Sequence, residues 1–138
     1  KMNRRTWSMV RSSNALAANL PFVLYSDLYD HEDFIRGLAS APFSGMLWSP
    51  EVRQCASVND LIRRMQTTAI APLMCANNWM IKIPAWKQFD YEKNLKGELL
   101  ENWEEVFEAC RKVVQLRMSL VPYLYAAFFI NLQNLVSV

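Results

Sequence analysis

Phe22-Val23-Leu24-Tyr25-Ser26-Asp27, followed within three residues by Asp30-His31-Glu32-Asp33-Phe34-Ile35, reads as a strand handing over to a helix. The first four residues form a short, continuous apolar run, which is the pattern of a strand covered on both faces in a parallel sheet. Asp30 then stands where an N-cap belongs, and Asp33 takes the capping-box position three residues on. Further acids in that first turn suit the positive end of the helix dipole. Phe34, Ile35 and Leu38 supply an apolar stripe, and Pro42 blocks continuation of the helix.

The same strand-then-helix unit recurs on either side. Residues 7–11 make a short strand ahead of it. Residues 43–48 make another, broken by Ser49-Pro50. Ser57 with Asp60 opens a second helix, with Val58, Leu61, Ile62 and Met65 on one face and Arg63, Arg64 and Gln66 off it. Residues 71–76 give a fourth strand, and residues 77–100 read as loop punctuated by Pro84, Asn94 and Gly97. From Glu101, Trp103, Val106, Phe107, Cys110, Val113, Val114, Leu120, Val121 and Leu124 fall at helical spacing, with Pro122 expected to kink or end the helix. Strands alternating with helices predict an α/β fold of parallel strands joined by right-handed crossovers. Four such strands amount to half of a (β/α)8 barrel, a partial TIM barrel, or to a small open sheet.

Composition bounds the function. A chain of 138 residues has room for one domain, and 52% hydrophobic against 20% charged residues excludes intrinsic disorder. Fifteen Lys and Arg against thirteen Asp and Glu give a net charge of +2, with no basic run, so no nucleic-acid footprint is expected. Cys55, Cys75 and Cys110 form no C-x-x-C pair and read as reduced thiols packed as small apolar groups. A single His and three Gly argue against a metal centre or a Gly-rich phosphate loop, and no cofactor is expected. Residues 7–10 are too short for the apolar core of a signal peptide. Residues 118–138 carry no charge and are long enough to span a bilayer. Pro122, Asn131, Gln133 and Asn134 within them favour a buried helix instead, and no membrane is expected as a partner.

In parallel α/β folds the working residues stand at the carboxyl ends of strands. Those ends here carry Arg11, Asp27, Glu51 and Asn77. A cation, two carboxylates and an amide on one rim, with Trp48 and Trp86 nearby, suit carbohydrate chemistry: a protonated carboxyl donates to a glycosidic oxygen and indole faces pack on sugar rings. Each residue also has a purely structural reading. Asp27 can cap the following helix, Glu51 can pair with Arg53 or Arg11, Asn77 can be a turn residue beside Asn78, and the two tryptophans can be core.

Several stretches carry a resemblance. Val10-Arg11-Ser12, the run from Phe22 to Asp27, Phe43-Ser44-Gly45-Met46-Leu47-Trp48 and Pro84-Ala85-Trp86 resemble the later part of the catalytic barrel of glycoside hydrolase family 31. Leu116-Arg117-Met118-Ser119-Leu120-Val121-Pro122-Tyr123-Leu124-Tyr125 is similar to the family's L-R-x-x-L-x-P-Y-x-Y helix, the most specific of these matches. The pieces keep the family's order and spacing from about residue 7 to about residue 128. The resemblance implies a retaining α-glycosidase barrel acting on α-linked carbohydrate. It implies that Asp27, at the position of the W-x-G-D aspartate, is the acid/base. It also implies that Arg11, Trp48, Glu51 and Asn77 contact substrate. Glu51 stands where the family usually has Asp in a D-x-G-G-F stretch, and Asn77 where it usually has His.

The sequence departs from the family's pattern around the sugar. The Trp and Gly of W-x-G-D are Leu24 and Ser26 here, D-x-G-G-F continues as Arg53, Gln54 and Cys55, and the Arg two positions before the family's His is Cys75. The family's nucleophile motif, W-x-D-M-N, does not occur. A retaining mechanism needs two carboxyl groups about 5 Å apart. The expectation is therefore a fragment corresponding to the C-terminal half of the barrel, inactive by itself. Its open strand edges should drive self-association or pairing with a complementary half barrel. The alternative is a non-catalytic half-barrel binding or assembly module.

Overall fold

A computed structural model describes residues 8–11, 22–26, 30–53 and 55–136 of the chain. Four parallel strands, β1 (Ser8–Val10), β2 (Phe22–Ser26), β3 (Trp48–Val52) and β4 (Cys75–Ala76), lie side by side in sequence order. Helix α1 (His31–Ser40) joins β2 to β3, and α2 (Val58–Ile70) joins β3 to β4. Sequential order has no switch point, so right-handed crossovers lay both helices on one face and the sheet curls away from them as a half barrel. A short α3 (Tyr91–Lys96) and a long α4 (Trp103–Val136) complete the chain.

Helix α1 starts as its sequence dictates: the Asp30 carboxylate accepts from the Glu32 and Asp33 N–H groups at 2.9 and 3.1 Å. Phe34 is fully buried, but Ile35 is 51% exposed, so the inward stripe is narrower than its apolar residues predict. After α1 the chain makes a 3₁₀ turn (Ala41–Ser44) closed by Gly45 at φ 67°, a left-handed conformation that glycine adopts without steric cost. That turn occupies the residues expected to form the third strand, and β3 begins instead at Trp48 and includes Pro50. Pro50 is tolerated because pairing with β4 starts only at Glu51↔Cys75, so its missing N–H removes no bond of that ladder.

Helix α2 is capped by Ser57, whose hydroxyl accepts from the Asp60 N–H. Arg64, expected off the apolar face, is 4% exposed. Its guanidinium pairs with Asp60 at 2.9 Å, donates to the Arg53 carbonyl at 3.2 Å and lies over the Phe34 ring. A buried cation is held because its donors are matched. The Asp60 carboxyl is pushed up by burial, but hydrogen bonds from Arg64 and the Ala56 N–H outweigh that and hold it below its ordinary value.

The core lies between the sheet and α2–α4: Val52, Cys55, Leu61, Met65, Ala69, Ala85, Val106, Cys110 and Val113 form one buried cluster. Burial pushes the Cys55 thiol up to about 12 and the Cys110 thiol up to about 11, as expected for cysteines acting as small apolar groups. Helix α4 docks on α2 through a narrow seam of Val106, Cys110 and Val113, one to two turns apart. Arg117 extends the seam, donating to the Ala69 carbonyl at 3.0 Å, to Ala71, and to Pro72 at 2.9 Å. These carbonyls are at or just past the end of α2, where backbone acceptors lack helical partners. Strand β4 is confined to Cys75–Ala76, shorter than the sequence predicts.

The second half of α4 departs from expectation. The helix runs through Pro122 without ending, and Met118, Tyr123, Tyr125 and Ile130 are 64, 70, 57 and 56% exposed. The sequence predicts a buried helix here. Only 6% of the most apolar window within Trp103–Ile130 is buried, and by length and composition alone that helix could cross a membrane. Leu120, expected to be a core anchor, is half-buried.

Candidate functional site

Side chains alternate along β3. Trp48 and Val52 point to the helix-covered face: the Trp48 ring lies against Gly37 of α1, and Val52 joins the core cluster. Ser49 and Glu51 therefore point to the opposite face of the sheet. Cys75 pairs with Glu51 and shares that face, as does Asn77 two residues on.

Glu51 and Asn77 are brought together there. Glu51 is 3% exposed, and the Asn77 Nδ2 amide donates to both of its carboxylate oxygens at 2.9 Å. The orientation of that amide is fixed from its other end, because the Trp79 N–H donates to Asn77 Oδ1 at 2.7 Å. The Asn77 N–H in turn donates to the Val52 carbonyl at 3.1 Å, extending the β3–β4 ladder by one bond. The turn role expected of Asn77 and its contact with Glu51 thus coincide in one side chain. The thiol of Cys75 is raised, by burial first and by the negative charge of Glu51 second.

The other sequence candidates separate into three cases. Arg11 directly follows β1 and is exposed. Asp27 directly follows β2 and lies outside the described residues. The residue before it, Ser26, pairs with Pro50, the residue before Glu51. Trp48 is 6% exposed and starts β3 rather than ending it. Its expected position at a strand's carboxyl end is corrected, since β3 ends four residues further on, at Val52. It packs in the core, away from Glu51. Trp86 is also packed against the core cluster. The alternative in which Asp27 caps the following helix is not needed, since Asp30 is the N-cap of α1.

Sequence reasoning missed a second group just outside these residues. Past the ends of β3 and β4 a cleft of about 370 Å³ opens, lined by Arg53, Asn77, Ile81, Phe89 and Tyr91 among others. Its far wall is built by residues 82–97, which the sequence reads as plain loop. Asn94 organises that wall. It is fully buried, donates to the Ile83 and Gln88 carbonyls at 2.7 and 2.6 Å, and accepts from the Lys82 and Ile83 N–H groups at 2.9 and 3.2 Å. Asp90 caps α3, and Gly97 at φ 79° ends it, a cap pair that was visible in the sequence. Among the described residues no group of three or more His, Cys, Asp or Glu is arranged to hold a metal ion. No family model matches the chain, and no curated protein matches it.

Proposed function

We propose that the chain is the C-terminal half of a retaining α-glycosidase barrel, with Asp27 as acid/base and the rim of β2, β3 and β4 as its sugar-facing edge. The observation that carries this reading is the buried Glu51 carboxylate, fixed by Asn77 on the open face of a sequentially ordered parallel sheet, in register with the strand that leads to Asp27. Asp27 protonates the leaving oxygen and then activates water, while a nucleophilic carboxylate comes from outside these 138 residues. Arg11 and Asn77 orient the substrate beside it. The resemblance in the Leu116-to-Tyr125 stretch and the half-barrel topology point the same way.

The test is complementation. The chain is mixed with the N-terminal half of a family 31 barrel carrying W-x-D-M-N, and release of nitrophenol from aryl α-glucoside and α-xyloside is followed. Activity that appears only in the mixture, and is lost with Asp27→Asn, is the expected result. A mixture that forms a folded complex yet never hydrolyses either substrate refutes the reading.

A second reading has its own observation. The residues replaced around the family's sugar site, Leu24, Ser26, Arg53, Gln54, Cys55 and Cys75, favour a half-barrel binding or assembly module without catalysis. It predicts weak α-glycoside binding, self-association in light scattering, and no dependence of either on Asp27.

A further inference from the structure

The cleft beyond β3 and β4 contains a cation with unused donors. Arg53 is the first residue past β3, and its guanidinium carbon lies 5.2 Å from the centre of the Trp79 ring. The backbone N–H of Trp79 donates to Asn77 Oδ1, which ties the chain at that residue to the end of β4. This cation–π contact helps restrain the guanidinium and uses none of its N–H groups as a conventional hydrogen-bond donor. Among the described residues Arg53 forms no salt bridge, and only its backbone carbonyl takes part in a hydrogen bond, from Arg64. Asp90, the acid in the lining, has its carboxylate on the Lys93 N–H as the cap of α3. Ile81, Ala85 and Phe89 give the cleft an apolar lining, and the exposed Tyr91 lies at its edge. A volume of about 370 Å³ falls within the range of small-molecule sites.

We infer that this cleft is a binding site for a small ligand bearing an oxyanion, with the Arg53 fork as the anion anchor and the apolar lining and Tyr91 against the ligand's body. A half-buried, restrained guanidinium with free donors matches carboxylate or phosphate geometry in two parallel bonds. The inference requires only the cleft and is independent of the glycosidase reading.

The test is calorimetry and NMR on the full chain with four probes: glucuronate, glucose 6-phosphate, glucose and inorganic phosphate. Expected is saturable binding of glucuronate or glucose 6-phosphate, shifting the Trp79 indole resonance, with glucose binding roughly tenfold more weakly or not at all. Glucuronate alone binding identifies a carboxylate site, and glucose 6-phosphate alone a phosphoryl site. Inorganic phosphate binding as well as either sugar shows that the anion anchor dominates over the body contacts. Arg53→Gln should weaken binding by roughly tenfold or more, and Arg53→Lys less so, because the charge remains but the fork is lost. Should Arg53→Gln fail to fold, Trp79→Leu serves instead, as it releases the guanidinium without removing it. Binding that neither the Arg53 nor the Trp79 variant changes overturns the inference, as does the absence of binding by all three anions.

Discussion

Asn94 is the side chain on which the wall of the cleft depends, and its replacement gives a quantitative test. All four of its hydrogen-bonding valences are met by backbone groups, and none of its surface is exposed. At roughly 1 kcal/mol per bond, Asn94→Ala should cost about 4 kcal/mol. Asn94→Asp is the sharper perturbation, since it keeps the shape and the acceptor but replaces the amide donor. The new oxygen then faces the Ile83 and Gln88 carbonyls, which lie at 2.7 and 2.6 Å from the amide nitrogen. Ionised, it repels both; protonated, it donates to one. The folded-state pKa of the introduced carboxyl is therefore raised above its unfolded value of about 4. A carboxyl raised in this way contributes its stability fully below the unfolded value and loses it as pH rises through the folded value. Urea unfolding of the parent and both variants at pH 7 and near pH 4 measures this. The aspartate variant should be the least stable at pH 7 and recover relative to the alanine variant at the lower pH. An alanine cost below about 1 kcal/mol, or an aspartate deficit that is the same at both pH values, would refute the hub assignment.

Three further outcomes are expected. Arg117→Leu removes a charged donor from three carbonyls at the end of α2 and should lower stability by about 2–4 kcal/mol, with Arg117→Lys recovering only part because one ammonium cannot match the fork; thermal melts of both variants test this. Gly37→Ala places a Cβ 2.6 Å from the Trp48 ring, so α1 must shift and about 1–3 kcal/mol should be lost, whereas a neutral or stabilising result in denaturant would show that the ring moves aside. The Cys55 and Cys110 thiols, raised by burial, should resist a disulfide reagent in the folded protein at pH 8 and react on unfolding. Because their pKa values are raised above the ordinary thiol range, their contribution to stability holds below about 9 and is lost as pH climbs towards about 12; an alkaline titration of the melting temperature that stays flat there would contradict the burial.

The local physics of the chain was legible from residue order. Asp30 and Ser57 cap the helices their spacing implied, Pro42 stops α1, and alternating apolar runs gave parallel strands with helical crossovers. That Glu51 and Asn77 share one edge followed once both were placed at strand ends, because neighbouring parallel strands bring their carboxyl ends together; that they bond to each other, where the sequence offered Arg53 or Arg11 as the partner of Glu51, did not. The position of β3 did not follow. Residues 43–48 and 48–52 are both plausible as strand by composition, and the choice rests on the left-handed turn at Gly45 and on a ladder that forgives Pro50. That shift carried Trp48 from the rim to the core. Other features depend on partners far away in sequence, as with Arg64 over the Phe34 ring and the grip of Arg117 on α2, or on the folding of an irregular loop, as with the fourfold satisfaction of Asn94.

What the sequence by itself determined is the two capped helices α1 and α2, the long C-terminal helix, the parallel α/β class and two of the rim residues, since each depends on interactions within a few positions or on periodicity. Only the tertiary structure decided which face each side chain takes, that α4 docks through a narrow seam and leaves its second half exposed, and that Arg53 and Trp79 meet over a cleft. Those depend on register, and a one-residue shift in register exchanges the two faces of a strand.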